Sequence, residues 1–115
     1  MIDRKARARL EDIMAAISDA ELAVSGLDLE GYRQNPVVRR AVERCIEVVS
    51  EASRHISDEL KSTAPDIPWQ RIAGIGNVLR HDYQRVDDAM IWNVVKHHLP
   101  ALKSAVRGYL DTNME

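Results

Sequence analysis

The chain has 115 residues, 45% of them hydrophobic, with 16 Lys and Arg against 18 Asp and Glu and a formal net charge of −2. That length fits one domain over residues 1–115 with a modest core that association would help. The slightly acidic balance excludes a protein that coats nucleic acid by bulk electrostatics, so any such contact must be local. No apolar run approaches the roughly 18 residues of a membrane span and no basic-then-apolar leader is visible, so no membrane contact and a cytoplasmic location are expected.

Apolar residues recur at intervals of three and four rather than two, which predicts helices throughout and no strand. Leu10, Ile13, Met14, Ile17 and Val24 stripe a first helix over about residues 3–25, which Gly26 can end. The first nine residues hold four basic side chains, Arg4, Lys5, Arg7 and Arg9, against the single acid Asp3. Cations are disfavoured at a helix N-terminus, so either a partner or crossing helix offsets the cluster, or it is a frayed, solvated start.

Asn35-Pro36 supplies a capping side chain and then proline at the first helical position. A long second helix is expected to run to about residue 60, with Val38, Ala41, Val42, Cys45, Val49, Ala52 and Ile56 on its apolar face. Glu43, Arg44, Glu47, Glu51 and Arg54 then read as its solvated side. Cys45 is alone, which removes a disulfide framework and a cysteine metal site and leaves a small core residue as the plain reading.

Lys61 to Pro68, with two prolines, reads as the main inter-helix loop, and Trp69 opens the third helix. Asp87 can cap a fourth, with Val86 and Ile91 placed as a staple across the cap and Val94, Val95 and Leu99 on its core face. Pro100 is expected to restart the chain in a short last helix bearing Leu102, Ala105, Val106 and Tyr109. The sum is an all-α antiparallel four-helix bundle with an additional short helix, without internal repeats or low-complexity tracts.

The third helix carries the polar cluster. Ala73, Gly74 and Gly76 narrow it, each glycine costing about 1 kcal/mol of helix propensity relative to alanine. Close approach of another backbone, from the bundle or from a second copy, would offset that cost; contact with a ligand is the other reading. Arg80 and Tyr83 return to the face of Gly76, whereas His81 stands five residues, about 140°, from it. Either the helix ends near His81, or two copies share one site. Asn77 lies one turn before His81. Taken alone, His81 reads as a partly buried histidine bonding a carbonyl.

Chelating pairs are lacking: His97 and His98 are adjacent, about 100° apart, with no partner three or four residues away. There is no HExxH, P-loop or GxGxxG, so neither a metal nor a nucleotide cofactor is expected.

The segment PWQRIAGIGNVLRHDYQRVDDAMIW resembles the motif region of the HepT-like toxins, a branch of the HEPN superfamily of helical ribonucleases. Those proteins show a tryptophan after proline, then Arg-Asn-x-x-x-His-x-Tyr, then Val-Asp and a tryptophan-containing helix followed by Leu-Pro. Here Pro68-Trp69, Asn77, His81, Tyr83, Val86-Asp87, Trp92 and Leu99-Pro100 fall in that order and register. Arg40 to Arg44 and Glu51-Ala52 look like the family's second helix, so the resemblance covers nearly the whole chain.

The resemblance implies a HEPN-like bundle that forms a homodimer and cuts RNA in the dimer cleft without a metal. A histidine takes the 2′-hydroxyl proton there and an arginine binds the phosphate as charge builds on it. It also implies an MntA-type nucleotidyltransferase antitoxin that adenylylates Tyr83, placing negative phosphate and bulk where substrate must sit. A tyrosine packed at a helix end with its hydroxyl in water is the plain alternative.

One departure matters. The family's arginine immediately precedes the asparagine, where this chain has Gly76. Helical side chains lean toward the N-terminus, so Arg80 should extend over position 76 and could supply the missing guanidinium. The expected catalytic set is therefore His81, Arg80 and Asn77. The alternative is a catalytically silent helical dimer acting as a binding or regulatory module.

Overall fold

The computed structural model describes residues 2–82, 84 and 86–113. It is all-helical, with no strand among the described residues. Among the described residues seven α-helices follow in order: α1 (Arg4–Ala23), α2 (Leu29–Arg33), α3 (Pro36–Ser53), α4 (Asp58–Thr63), α5 (Trp69–His81), α6 (Asp88–Asn93) and α7 (Leu99–Asn113). α3 lies between α1 and α5, and α7 packs on α1. Leu10, Ile13, Ile17, Val42, Ile46, Val49, Ile91, Leu99, Leu102 and Val106 form the centre of one buried cluster. A Glu21–Lys103 ion pair of 2.7 Å ties α1 to α7.

Local rules explain several boundaries. The Asn35 carboxamide accepts the Val38 N–H at 3.1 Å, and Pro36 occupies the first turn of α3. Asp87 accepts the Ala89 N–H at 3.0 Å, while Val86 and Ile91 both join the core, as a staple requires. Gly26, just past α1, sits at φ 79°, a conformation that a side chain would oppose.

Two expectations are corrected and one helix is added. The second long helix stops at Ser53 rather than near residue 60. The Ser53 hydroxyl bonds back to the Ser50 carbonyl at 2.7 Å, and the His55 and Ile56 N–H groups tighten onto Ala52 and Ser53. Side-chain competition for the last carbonyls thus breaks the ladder, and Ser57 caps the separate helix α4 by accepting the Leu60 N–H at 3.2 Å. Ile56 and Leu60 keep the apolar period across the break and stay buried, which is why the pattern hides it.

Pro100 does not restart the chain. α6 and α7 are joined through a π-helical turn over 94–98, in which Leu99 N–H reaches back five residues to the Val94 carbonyl. The widened turn directly before Pro100 relieves the clash and the missing N–H that proline brings to an α-helix. Finally, α2, capped by Asp28 on the Gly31 N–H at 2.8 Å, occupies a gap too short for periodicity to reveal. Two face assignments also change: Ala41 is exposed and Cys45 half-buried. Burial pushes the Cys45 thiol pKa up, reinforced by Asp19, which keeps it protonated and unreactive.

Candidate functional site

α5 turns Ile72, Ile75, Gly76 and Leu79 into the bundle and leaves Gly74, Asn77, Arg80 and His81 exposed. Its start is held by the Trp69 indole N–H, which donates to the Ala64 carbonyl at 3.1 Å. It ends at His81, with the Asp82 N–H closing on the Val78 carbonyl at 2.8 Å. Of the two geometries left open for His81, the helix end is therefore present within one chain.

Gly76 is the point where α5 meets α3. The Ser50 hydroxyl, fully buried, accepts the Gly76 N–H at 3.1 Å and donates to the Ala73 carbonyl at 2.9 Å. A β-carbon added at 76 would lie 2.8 Å from Ser50 Cβ and closer still to Ser50 Oγ. Only glycine fits that approach without moving a helix. The close neighbour is thus the bundle itself. Gly74 differs: it is exposed, and a β-carbon there meets nothing within 4 Å.

Arg80 lies back along α5 as the helical lean of side chains requires. Its Nη2 donates to Asn77 Oδ1 at 2.9 Å, and Nη1 stands 3.5 Å from where a β-carbon at 76 would be. A guanidinium therefore skirts the outer edge of position 76, fixed by the asparagine one turn away. Arg80 also lines a groove of about 350 Å³ that runs onto α3 and α1, with Arg44 and Glu51 on α3, His55 in the turn after it and Arg9 on α1. His81 is exposed and makes no hydrogen bond or ion pair among the described residues, unlike the carbonyl-bonded core histidine expected from the residue alone. Tyr83, the expected modification site, lies outside the described residues.

Two contributors are not visible in the sequence. Ser50 reads as an interruption of an aliphatic stripe, and its significance depends on the register between α3 and α5. Arg54, expected as a solvated charge, donates to the same Ala73 carbonyl at 2.9 Å.

A second polar cluster lies where α6 begins. Arg39 pairs with Asp88 at 3.9 Å, and the fully buried Tyr32 packs its ring on Trp92, centroids 5.6 Å apart. Tyr32 Oη and Arg39 Nε are buried without hydrogen-bond partners among the described residues. Burial, then the charges of Glu43 and Asp88, push the Tyr32 pKa up, so the phenol stays protonated. Lys96 stands over Trp92 at 4.8 Å.

Among the described residues no group of three or more His, Cys, Asp or Glu side chains could hold a metal ion. His97 is exposed, and His98 is half-buried, its pKa lowered by burial and then by Arg71 and His97.

The family model described as Ribonuclease HepT-like matches residues 13–108, and the chain belongs to the HepT-like family. It is 32% identical over 106 residues to "Putative RNase MJ1380" of Methanocaldococcus jannaschii, spanning 92% of this chain and 97% of that relative. It is 35% identical over 94 residues to "Probable ribonuclease HepT" of Thermococcus cleftensis, spanning 82% and 86% respectively. No solved structure matches it significantly. No described helix is long and apolar enough to cross a membrane.

Proposed function

We propose that this chain is an RNA-cleaving toxin of the HepT type, one helical domain acting as a cytoplasmic homodimer without a metal. His81 takes the proton of a 2′-hydroxyl, whose oxygen attacks the adjacent phosphorus. The 5′-oxygen leaves and takes up a proton, from His81 of the second copy or from water. Arg80 balances the charge that builds on the phosphate oxygens, and Asn77 holds its guanidinium in place. An MntA-type nucleotidyltransferase silences the protein by adenylylating Tyr83, which adds negative charge and bulk next to His81.

The observation that supports this reading most is the placement of Arg80, bonded to Asn77 and lying against position 76. Family membership and the names of the relatives supply the reaction class. The test is cleavage of RNA in excess chelator by the wild type and by His81→Ala. Chelator-resistant cleavage that disappears in the variant is the expected result.

A second reading has its own observation. The Ser50–Gly76 contact closes the position that the family's arginine occupies. If that arginine has no substitute, the chain keeps the fold and the dimer but binds without cutting, and the wild type is then as inactive as His81→Ala.

A further inference from the structure

Of the basic cluster at the start of α1, Arg9 borders the Arg80 groove described above. Lys5 and Arg9, one turn apart, face a concave cavity of about 250 Å³ at the end of the bundle. His55, from the turn after α3, is a third nitrogen group on its wall. Its floor is apolar, with Leu10, Ile56 and Leu60, and Tyr109 of α7 borders it. The carboxylate in its lining, Asp3, already accepts the Ala6 N–H at 2.7 Å as the cap of α1. No hydrogen bond or ion pair occupies Lys5 or Arg9 among the described residues. Arg9 and His55 also line the adjoining groove that ends at Arg80.

We propose that this cavity is a subsite for one nucleotide unit of a single-stranded RNA whose scissile phosphate lies at Arg80 and His81. The inference rests on the ribonuclease reading and adds to it how substrate is held. The cavity is near the lower end of small-molecule sites, about 300–1000 Å³, which suits a single nucleotide and not a duplex. A phosphate meets Lys5 and Arg9, and a base lies on the apolar floor beside the Tyr109 ring, the combination that single-strand binders use. The connecting groove carries Asp12, Glu47 and Glu51 beside Arg9, Arg44 and His55, and Glu51 approaches His55 to 3.3 Å. Attraction is therefore concentrated at the two ends of the path, in the cavity and at Arg80. This also answers why four cations crowd a helix start whose dipole opposes them: two of them face a site for an anion.

The test measures binding of 2′-O-methyl oligouridylates of 4 and 20 nucleotides, which cannot be cut by 2′-hydroxyl attack, across a salt series. The variants are Lys5→Gln/Arg9→Gln and the charge-keeping Lys5→Arg/Arg9→Lys. The 20-mer should bind the neutral variant at least tenfold more weakly. Its salt slope should fall by roughly 0.7, the value for one lost phosphate contact on a single strand. Cleavage of a dinucleotide and the 20-mer affinity of the charge-keeping variant should match wild type. Unchanged 20-mer affinity and slope in the neutral variant overturn the subsite while leaving the ribonuclease reading intact. Equal losses in both variants overturn it too, because the effect is then one of packing. A wild type that neither binds the 20-mer nor cuts the dinucleotide removes both readings together.

Discussion

Ser50 and Gly76 are a matched pair: one hydroxyl, fully buried, receives the N–H of Gly76 and gives its proton to the Ala73 carbonyl one turn back. The contact fixes how closely α3 and α5 approach, so residue 76 is a packing position here, while the exposed face beside it carries Asn77, Arg80 and His81.

Gly76→Ala should destabilise the protein although alanine is the better helix former. The propensity gain is about 1 kcal/mol, but forcing a β-carbon onto Ser50 costs on the order of 1–3 kcal/mol and can part the helices. Gly74→Ala, with open space around its β-carbon, should instead gain up to about 1 kcal/mol. Thermal unfolding of the two variants checks this contrast; a higher Tm for Gly76→Ala would contradict the packing account.

Tyr32→Phe should be neutral or stabilising by about 1 kcal/mol. The phenol oxygen is buried without a partner among the described residues, and an unsatisfied buried polar atom costs roughly 1–3 kcal/mol. The ring contact with Trp92 survives the change. Urea unfolding measures it, and a loss greater than about 1 kcal/mol would mean that the hydroxyl has an acceptor.

Glu43 gives a pH dependence whose sign is fixed. Its carboxyl pKa is raised above the usual 4.5 by burial first and then by Asp88, outweighing Arg39. A group with a raised folded pKa contributes stability below its unfolded value that is lost as pH rises through the folded one. Near neutral pH the charged carboxylate thus weakens the fold, and Glu43→Gln should raise Tm there. The gap should close as pH falls toward about 4.5. A variant less stable than wild type near pH 7 would be the opposite of this expectation.

What could be read from the sequence follows the range of the forces involved. The caps at Asn35 and Asp87 and the stop at Gly26 depend on a few neighbouring residues and were legible. The break at Ser53 was not, because Ile56 and Leu60 continue the apolar period into α4. The continuity of α6 and α7 was missed because a proline normally ends a helix, and the π-helical turn that accommodates Pro100 has no periodic mark. Within the candidate site, Asn77 and His81 stood out by the family motif, Arg80 by its spacing from position 76, and Gly76 by its departure from that motif. Ser50 could not, since its role exists only once α3 and α5 are set in register.

On the proposed reading Arg80 supplies the guanidinium that position 76 lacks. The most direct measurement is the rate of RNA cleavage in chelator by Arg80→Ala, compared with wild type and with His81→Ala. Loss of one charge-stabilising group should slow cleavage about 10²–10³-fold, with His81→Ala inactive. Cleavage at the wild-type rate by Arg80→Ala, with His81→Ala still inactive, would contradict it.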